Sequence, residues 1–358
     1  MAGQMEANKE RNYSIDMMRI FASFMLVVFH AASYIKADTG VSDFDRAAVS
    51  GYMTAICFPV PLFLMISGLF FLDTGKALSV RKIYKKYMFR LLTAYVFWSL
   101  VYAVYEVALS GDPVSVSVLK AVLMLARDSH YHLWYLPYLC GIYILLPLLR
   151  GAVGGNQRNL QYGCLVFFVF GILQKSLLLI DLPFDTWEIV IKKISVPFFT
   201  TIAGYYLWGY YISNRQWGRK ARSAIYAGAV LSLFASAFSD IRRNLEMNQG
   251  EVQIWAGNYM SLTSFLIITA IFCFFFFEVS RISLSEGMKK RVCRISECTF
   301  GIYLIHDLSL CLLEQAGLKP NSIMPVLGIP VMAGAAFILS YLIVLSVKRI
   351  PLLSRYIV

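Results

Sequence analysis

Charged side chains are scarce in this sequence of 358 residues. They make up 15% of the chain, whereas soluble domains carry about 25%. Hydrophobic residues reach 58%, which excludes an ordinary soluble domain, a disordered chain and a collagen-like repeat. Apolar stretches near 20 residues recur along the whole length, and this pattern is typical of an integral membrane protein.

Paired cysteines and nucleotide-binding glycine loops are also missing. None of the seven cysteines forms a C-x-x-C pair, and five lie in apolar stretches: Cys57, Cys140, Cys164, Cys273 and Cys311. Small buried hydrophobic side chains therefore explain them better than disulfides do. His130 and His132 lack the i, i+4 spacing of a helical zinc pair, so the sequence predicts no metal site.

Ten stretches are long enough to cross a hydrocarbon core, which needs about 17–25 mostly apolar residues. They are 16–35, 52–72, 88–109, 133–149, 160–180, 194–212, 224–239, 256–279, 299–316 and 325–347, of which the seventh is the shortest. The first contains Asp16 and Arg19, so it lacks the clean apolar core of a cleaved signal peptide and is predicted to be retained. We therefore predict an all-α, polytopic membrane protein of about ten transmembrane helices.

Lysine and arginine are distributed unevenly over the predicted loops. If the N-terminus is cytosolic, 23 of the 33 basic residues lie in cytosolic segments and 9 in outer loops. This bias predicts that both termini are cytosolic, and it explains the net charge of +12 as membrane topology rather than as a nucleic-acid surface. One membrane domain, 16–350, is expected between cytosolic tails at 1–15 and 351–358.

The first predicted helix carries a polar face. At 100° per residue, six polar side chains fall within about a third of the circumference: Asp16, Arg19, Ser23, His30, Ser33 and Tyr34. Arg19 and His30 are about 16 Å apart along the helix, so a cytosolic Arg19 places His30 near the middle of the membrane. Ionisable groups are costly there and are candidates for function. The alternative is a buried histidine that bonds a neighbouring helix.

The ninth predicted helix holds a second histidine, His306. Thr299, Tyr303 and His306 repeat on one face, and His306 also approaches mid-membrane. Asp307 points about 100° away from His306, so it is not automatically its partner. Catalytic and structural roles both stay open for His306.

Aromatic residues follow His130 and His132 at the predicted outer end of the fourth span. Trp134 and Tyr135 suit an interfacial aromatic belt, and a lip that stacks on sugars is the alternative. At the opposite face, a basic stretch opens the third span, ending in Lys86 and Arg90. Most of it is explained by topology, but Arg90 enters the apolar segment, where a cation needs an anionic partner or must reach the interface.

Four motifs in this order resemble the membrane acyltransferase 3 family, in its stand-alone bacterial branch. Arg19 and His30 match the family's Arg-x10-His motif, and Val60 to Gly68 is similar to its proline-aromatic-Ser-Gly second helix. Further similarity lies at residues 132–136 and 300–306, so the resemblance covers nearly the whole chain. The third helix departs from the pattern, because Tyr87 replaces the first arginine of Arg-x-x-Arg and only Arg90 matches.

The resemblance implies a membrane-bound O-acyltransferase in the bacterial inner membrane. Members transfer an acyl group, usually acetyl from cytosolic acetyl-CoA, to a hydroxyl of an exported or lipid-linked glycan. On this view Arg19 and Arg90, with Lys86, hold the phosphates of acetyl-CoA, which is a co-substrate, and no metal is needed. The expected partners are membrane lipids and the glycan acceptor, without nucleic acid; the oligomeric state stays open.

His30 is the predicted general base, removing the proton of the attacking hydroxyl. The alternative is that His30 itself carries the acyl group as an acyl-imidazole. Asp16 lies about 21 Å from His30 along the helix, so it is expected to pair with Arg19 instead. Ser67, Tyr303 or His306 are the candidates to orient the base or to stabilise the oxyanion.

Two other functions remain open from the sequence. Intramembrane Arg, His and Glu also mark substrate and proton pathways in secondary transporters, although the two halves of the chain show no convincing repeat. The second alternative is a non-catalytic membrane sensor with the same fold.

Overall fold

A computed structural model describes residues 11–36, 42–75, 77–110, 130–177, 198, 201–247 and 251–358, and its regular elements are all helical. The principal helices are α1 (Tyr13–Lys36), α2 (Asp43–Ala55), α3 (Pro59–Phe71), α4 (Phe89–Ser110), α5 (Tyr135–Val153), α6 (Gln157–Val166), α7 (Gly204–Ser213), α8 (Arg219–Met247), α9 (Leu262–Cys273), α10 (Glu286–Ser296), α11 (Thr299–Gln315), α12 (Pro325–Val347) and α13 (Pro351–Tyr356). Wider π-helical turns precede α4 at Ile83–Met88 and follow α6 at Phe167–Leu173 and α9 at Phe274–Glu278. The predicted all-α class is confirmed.

Eight of the described helices are long and apolar enough to cross a membrane, and the pair α10 and α11, bent by 59°, adds a ninth. The sixth predicted span begins outside the described residues, and its described part is α7. The seventh, predicted to be the shortest, is one of the longest helices, with 29 residues. Its ends are polar, so an apolar window finds only its middle. The chain is a multi-pass membrane protein; the side on which its termini lie stays a prediction.

The second predicted span is a pair of helices separated by three residues. Pro59 and Pro61 lie in the first turn of α3, where the N–H that a proline lacks has no partner within the helix. Ser42 caps α2 by accepting from the backbone N–H of Asp45. Helix α2 therefore begins at Asp43, nine residues before the start of the predicted span. Both α2 and α3 pack on α1.

Helices α3 and α7 touch through glycines. A Cβ built on Gly68 would lie 1.8 Å from the carbonyl oxygen of Tyr206, and one on Gly209 would lie 2.4 Å from that of Met65. Small residues let transmembrane backbones approach this closely. The contact fixes the part of α3 that carries Ser67.

The last eight residues, predicted as a cytosolic tail, pack against α4. Thr93 donates to the carbonyl oxygen of Tyr356 at 3.0 Å, and Trp98 donates to that of Ile357 at 3.0 Å. Ile357 and Val358 are buried. Segment 351–358 is therefore part of the bundle.

Helix α1 packs against α2, α3, α10, α11 and α12. Its polar residues are accordingly buried: Asp16 is 3%, Ser23 1% and His30 9% exposed. The polar face of α1 looks into the protein, as its sequence pattern predicts. Apolar side chains of α8, such as Phe234 and Phe238, instead face outward and suit contact with lipid.

Candidate active site

All four histidines of the chain meet in one cluster. His30 comes from α1, His306 from α11, and His130 and His132 from the turn that leads into α5. The ring centroids of His30 and His306 are 4.9 Å apart, as are those of His132 and His306. Residues up to 276 positions apart in the sequence thus form one group of imidazoles.

His30 bonds a tyrosine that the sequence did not single out. The hydroxyl of Tyr131 lies 3.2 Å from His30 Nδ1 and donates to Asp307 Oδ1 at 2.6 Å. Of the residues predicted to orient the base, His306 packs against the His30 ring, whereas Ser67 donates to its own helix at the carbonyl of Phe63. A partner in a short turn before a distant helix leaves no periodic signal, so only the fold brings Tyr131 to His30.

His306 is fully buried, and only one of its two ring nitrogens has a hydrogen-bond partner among the described residues. Its Nδ1 lies 2.6 Å from the carbonyl oxygen of Tyr303, so this nitrogen carries the proton, since a carbonyl can only accept. Among the described residues, the other ring nitrogen, Nε2, has no hydrogen-bond partner. His306 therefore presents a lone pair next to His30 and remains a second candidate base.

Three members of the cluster have the spacing of a candidate metal set. One ligand atom each from His130, His132 and Asp307 lies within 4.8 Å of the others. The groups also bond each other directly: His130 Nδ1 is 2.9 Å from His132 Nδ1, and His130 Nε2 is 3.3 Å from Asp307 Oδ2. We interpret the set as a hydrogen-bonded cluster, and the absence of a metal stays a prediction.

His30 lines a cavity of about 250 Å³, here called the His30 cavity. Its wall is aromatic and mostly apolar, with Phe29, Trp134 and Tyr259 beside the imidazole and Asn258 as a polar group. Trp134 is 39% exposed, so its ring is available to a ligand. Tyr135, its neighbour in the sequence, belongs to a different cavity.

One wall of the His30 cavity is held by a buried carboxylate that sequence reasoning missed. Asp240 of α8 is 0% exposed and accepts from Thr54 Oγ1 and from the backbone N–H groups of Ala256 and Gly257, each at 2.9 Å, and of Trp255 at 3.3 Å. The same segment supplies Gly257 and Tyr259 to the cavity. Asp240 thus fixes a loop of the cavity to two helices.

We expect Asp240→Asn to lower the temperature of thermal unfolding, because an amide cannot accept from four donors and leaves buried N–H groups unpaired. Each such group costs about 1–3 kcal/mol. Glu246→Gln on the same helix is the control, since Glu246 forms an exposed ion pair with Arg242 that contributes little. Equal unfolding temperatures for the two variants would contradict the role of Asp240.

The predicted anion-binding arginines share a second cavity, of about 440 Å³, here called the Arg19 cavity. It is lined by Arg19 of α1, Ser67 of α3, Arg90 of α4, Tyr135 of α5 and Tyr303 of α11. Five of the predicted site residues therefore come together. Lys86 is exposed on the π-helical turn before α4 and is not among the lining residues.

The two arginines are already engaged with the protein. Arg19 lies 3.6 Å from Asp16, as the i, i+3 spacing predicted, and over the ring of Phe70. Arg90 donates to the carbonyl oxygen of Val358 at 2.5 Å. Arg19 also lines an adjoining polar cavity of about 620 Å³ that contains Asp16, Tyr210 and Asn214. Arg19 therefore stands at the junction of two cavities.

Tyr303 and His306 connect the two sides of the site. Tyr303 lines the Arg19 cavity, and its hydroxyl donates to the carbonyl oxygen of His132 at 2.6 Å. One turn later, His306 touches the ring of His30, which lines the other cavity. A layer of histidine and tyrosine side chains thus separates a basic cavity from an aromatic one.

The fold and the site together define a polytopic membrane protein in which a cluster of imidazoles lies beside a cavity lined by two arginines. The chain belongs to the acyltransferase 3 family, since the family's acyltransferase domain matches residues 12–345. It is therefore a membrane acyltransferase, as the motifs indicated.

One curated relative is an amino-acid racemase of Enterococcus faecalis, 28% identical over 155 residues. The matched part is 41% of this chain and 20% of the racemase, so the chain spans about a fifth of that protein's length. No solved structure matches the chain significantly.

Proposed function

We propose that this membrane acyltransferase moves an acetyl group from acetyl-CoA to a hydroxyl of an exported or lipid-linked glycan, in a bacterial inner membrane. The observation that carries the proposal is that two residues of α1 line two different cavities. Arg19 lines a basic cavity, and His30, three turns further, lines an aromatic one beside a cluster of imidazoles. A charged donor and a sugar-like acceptor need these two environments.

The anionic end of the donor binds around Arg19. Guanidinium groups bind phosphate through paired hydrogen bonds, and Arg19 faces both the polar cavity of about 620 Å³ and the Arg19 cavity. The nucleotide occupies the larger, more polar space, and the pantetheine arm extends past Ser67 toward Tyr303. Binding requires the phosphates to compete with Asp16 for Arg19 and with the carbonyl of Val358 for Arg90.

His30 acts as the general base. A neutral imidazole takes the proton of the acceptor hydroxyl while the oxygen attacks the thioester carbonyl, and the bond from carbon to sulfur then breaks. The proton passes to the departing thiolate, so the products are an ester and free CoA. The acceptor hydroxyl reaches His30 through the His30 cavity, where the Trp134 ring stacks on a sugar face.

A labelled-donor assay tests the function. Purified protein in detergent or vesicles receives acetyl-CoA labelled in the acetyl group, with and without a membrane extract as the acceptor source. We expect free CoA and labelled lipid-linked or glycan product only when the acceptor is present. A transporter or a sensor releases no CoA, and label that moves only into an amino acid would also contradict the proposal.

Arg19→Ala should raise the donor KM by at least about tenfold, because a charge-assisted contact contributes about 1.5–3 kcal/mol. Arg158→Ala is the matched control, since Arg158 is exposed and is not among the residues lining the Arg19 cavity. Initial rates at varied acetyl-CoA measure the effect. An unchanged KM in Arg19→Ala would remove Arg19 from the donor site.

A further inference from the structure

One hydroxyl group links the imidazole of α1 to a buried carboxylate of α11. Tyr131 Oη lies 2.6 Å from Asp307 Oδ1 and 3.2 Å from His30 Nδ1. The Tyr131 and His30 rings pack edge to face, with centroids 5.3 Å apart. The three side chains come from three separate segments, so their contact is a product of the fold.

The positions of the protons in this series of hydrogen bonds follow from the chemistry of the three side chains. An ionised carboxylate can only accept, so the short contact requires Tyr131 to donate its single proton to Asp307. Tyr131 Oη is then an acceptor toward His30, and Nδ1 of His30 must carry a proton. In neutral imidazole the other nitrogen, Nε2, is left with its lone pair, which is the form a base requires.

The surroundings of Asp307 suit a negative charge beside Tyr131. It is 1% exposed, and a buried carboxylate needs hydrogen-bond donors. Its second oxygen, Oδ2, lies 3.3 Å from His130 Nε2 and 4.0 Å from Cys311 Sγ. Glu106 lies 3.5 Å from the same nitrogen of His130, and Tyr34 bonds Cys311 at 3.0 Å.

We propose that Tyr131 and Asp307 are the positioning residues of His30, acting as a relay in which a tyrosine stands between the carboxylate and the imidazole. They hold the tautomer with the proton on Nδ1, and they stabilise the positive charge that His30 gains when Nε2 takes a proton from the acceptor. The inference rests on the proposed function of His30 as base. No net proton is created or lost, since the proton on Nε2 later passes to the thiolate.

Tyr131→Phe is the sharpest test, because it removes one oxygen and keeps the ring. Tyr131 is 51% exposed, so the variant is expected to fold. We expect kcat to fall at least about tenfold, and by no more than the ~10²–10⁴-fold that a general base contributes. The donor KM should stay unchanged, since Tyr131 is not among the residues lining the Arg19 cavity.

Two further variants separate positioning from packing. Asp307→Asn should lower kcat similarly, and Asp307→Glu should restore part of it, because the carboxylate returns. Tyr138→Phe is the control: it removes a hydroxyl from the helix that follows Tyr131, and that hydroxyl bonds Thr201 rather than Asp307 or His30. If Tyr138→Phe and Tyr131→Phe lower kcat equally, the loss reflects disturbed packing and the proposal is wrong.

Nitrogen-15 NMR of histidine-labelled protein reads the tautomer without any turnover. We expect the His30 signal, assigned by its loss in His30→Gln, to show protonated Nδ1 and bare Nε2, and to shift toward the other tautomer in Tyr131→Phe. An unchanged spectrum or an unchanged kcat in Tyr131→Phe overturns the inference. If instead the wild-type protein transfers no acyl group while the tautomer responds as expected, the proposed function fails and the relay geometry stands.

Discussion

Replacing His30 by glutamine is expected to lower acyl transfer by about 10²–10⁴-fold, the range that a positioned general base contributes. Glutamine keeps a polar group that can still bond Tyr131, so the helix and its contacts should persist. The measurement is the rate of CoA release at saturating acetyl-CoA and acceptor. Size-exclusion profiles and unfolding temperature report whether the variant is folded.

His306→Gln decides between the two imidazoles. His306 offers an unpartnered Nε2 to the cluster but does not belong to the described lining of either cavity, whereas His30 lines one. We therefore expect a smaller loss of kcat in His306→Gln than in His30→Gln. Full activity in folded His30→Gln, with loss in His306→Gln, would transfer the role of base to His306.

The sequence predicted the parts of the molecule that repeat locally. Apolar length identified most spans, and the period of α1 placed Arg19 and His30 on one buried face. The i, i+3 spacing of Asp16 and Arg19 also predicted their ion pair, now seen at 3.6 Å. These features depend on residues within a few turns of one helix, where spacing fixes geometry.

Contacts between distant segments left no such pattern. Tyr131 and Asp307 lie 176 positions apart, and Asp240 holds a loop that begins 15 residues later. Asp307 points away from its neighbour His306, as the helix period predicts, but the period does not show that its partners are Tyr131 and His130. Arg19 and His30 share a face but line separate cavities, a distinction that depends on α11 inserting Tyr303 and His306.

Among substitutions that add one methyl group, we expect Gly68→Ala to destabilise the protein most, because Gly68 lies at the contact between α3 and α7. Its Cβ would lie 1.8 Å from the carbonyl oxygen of Tyr206, and backbone atoms cannot turn aside as a side chain can. Overpacking of this kind costs about 1–3 kcal/mol or more, so α3 and α7 must separate. We expect a lower unfolding temperature and a lost peak in size-exclusion chromatography.

Gly141→Ala is the matched control for this prediction. Gly141 lies in α5, and a Cβ there meets nothing within 4 Å. Alanine in a helix is more favourable than glycine by about 0.5–1 kcal/mol, so this variant should be as stable as the wild type or more stable. Gly209→Ala, on the α7 side of the same contact, should repeat the loss, because its Cβ would lie 2.4 Å from the carbonyl oxygen of Met65. If Gly68→Ala and Gly209→Ala unfold at the same temperature as Gly141→Ala, the backbones of α3 and α7 do not pack against each other. The position of Ser67 in the Arg19 cavity must then be revised.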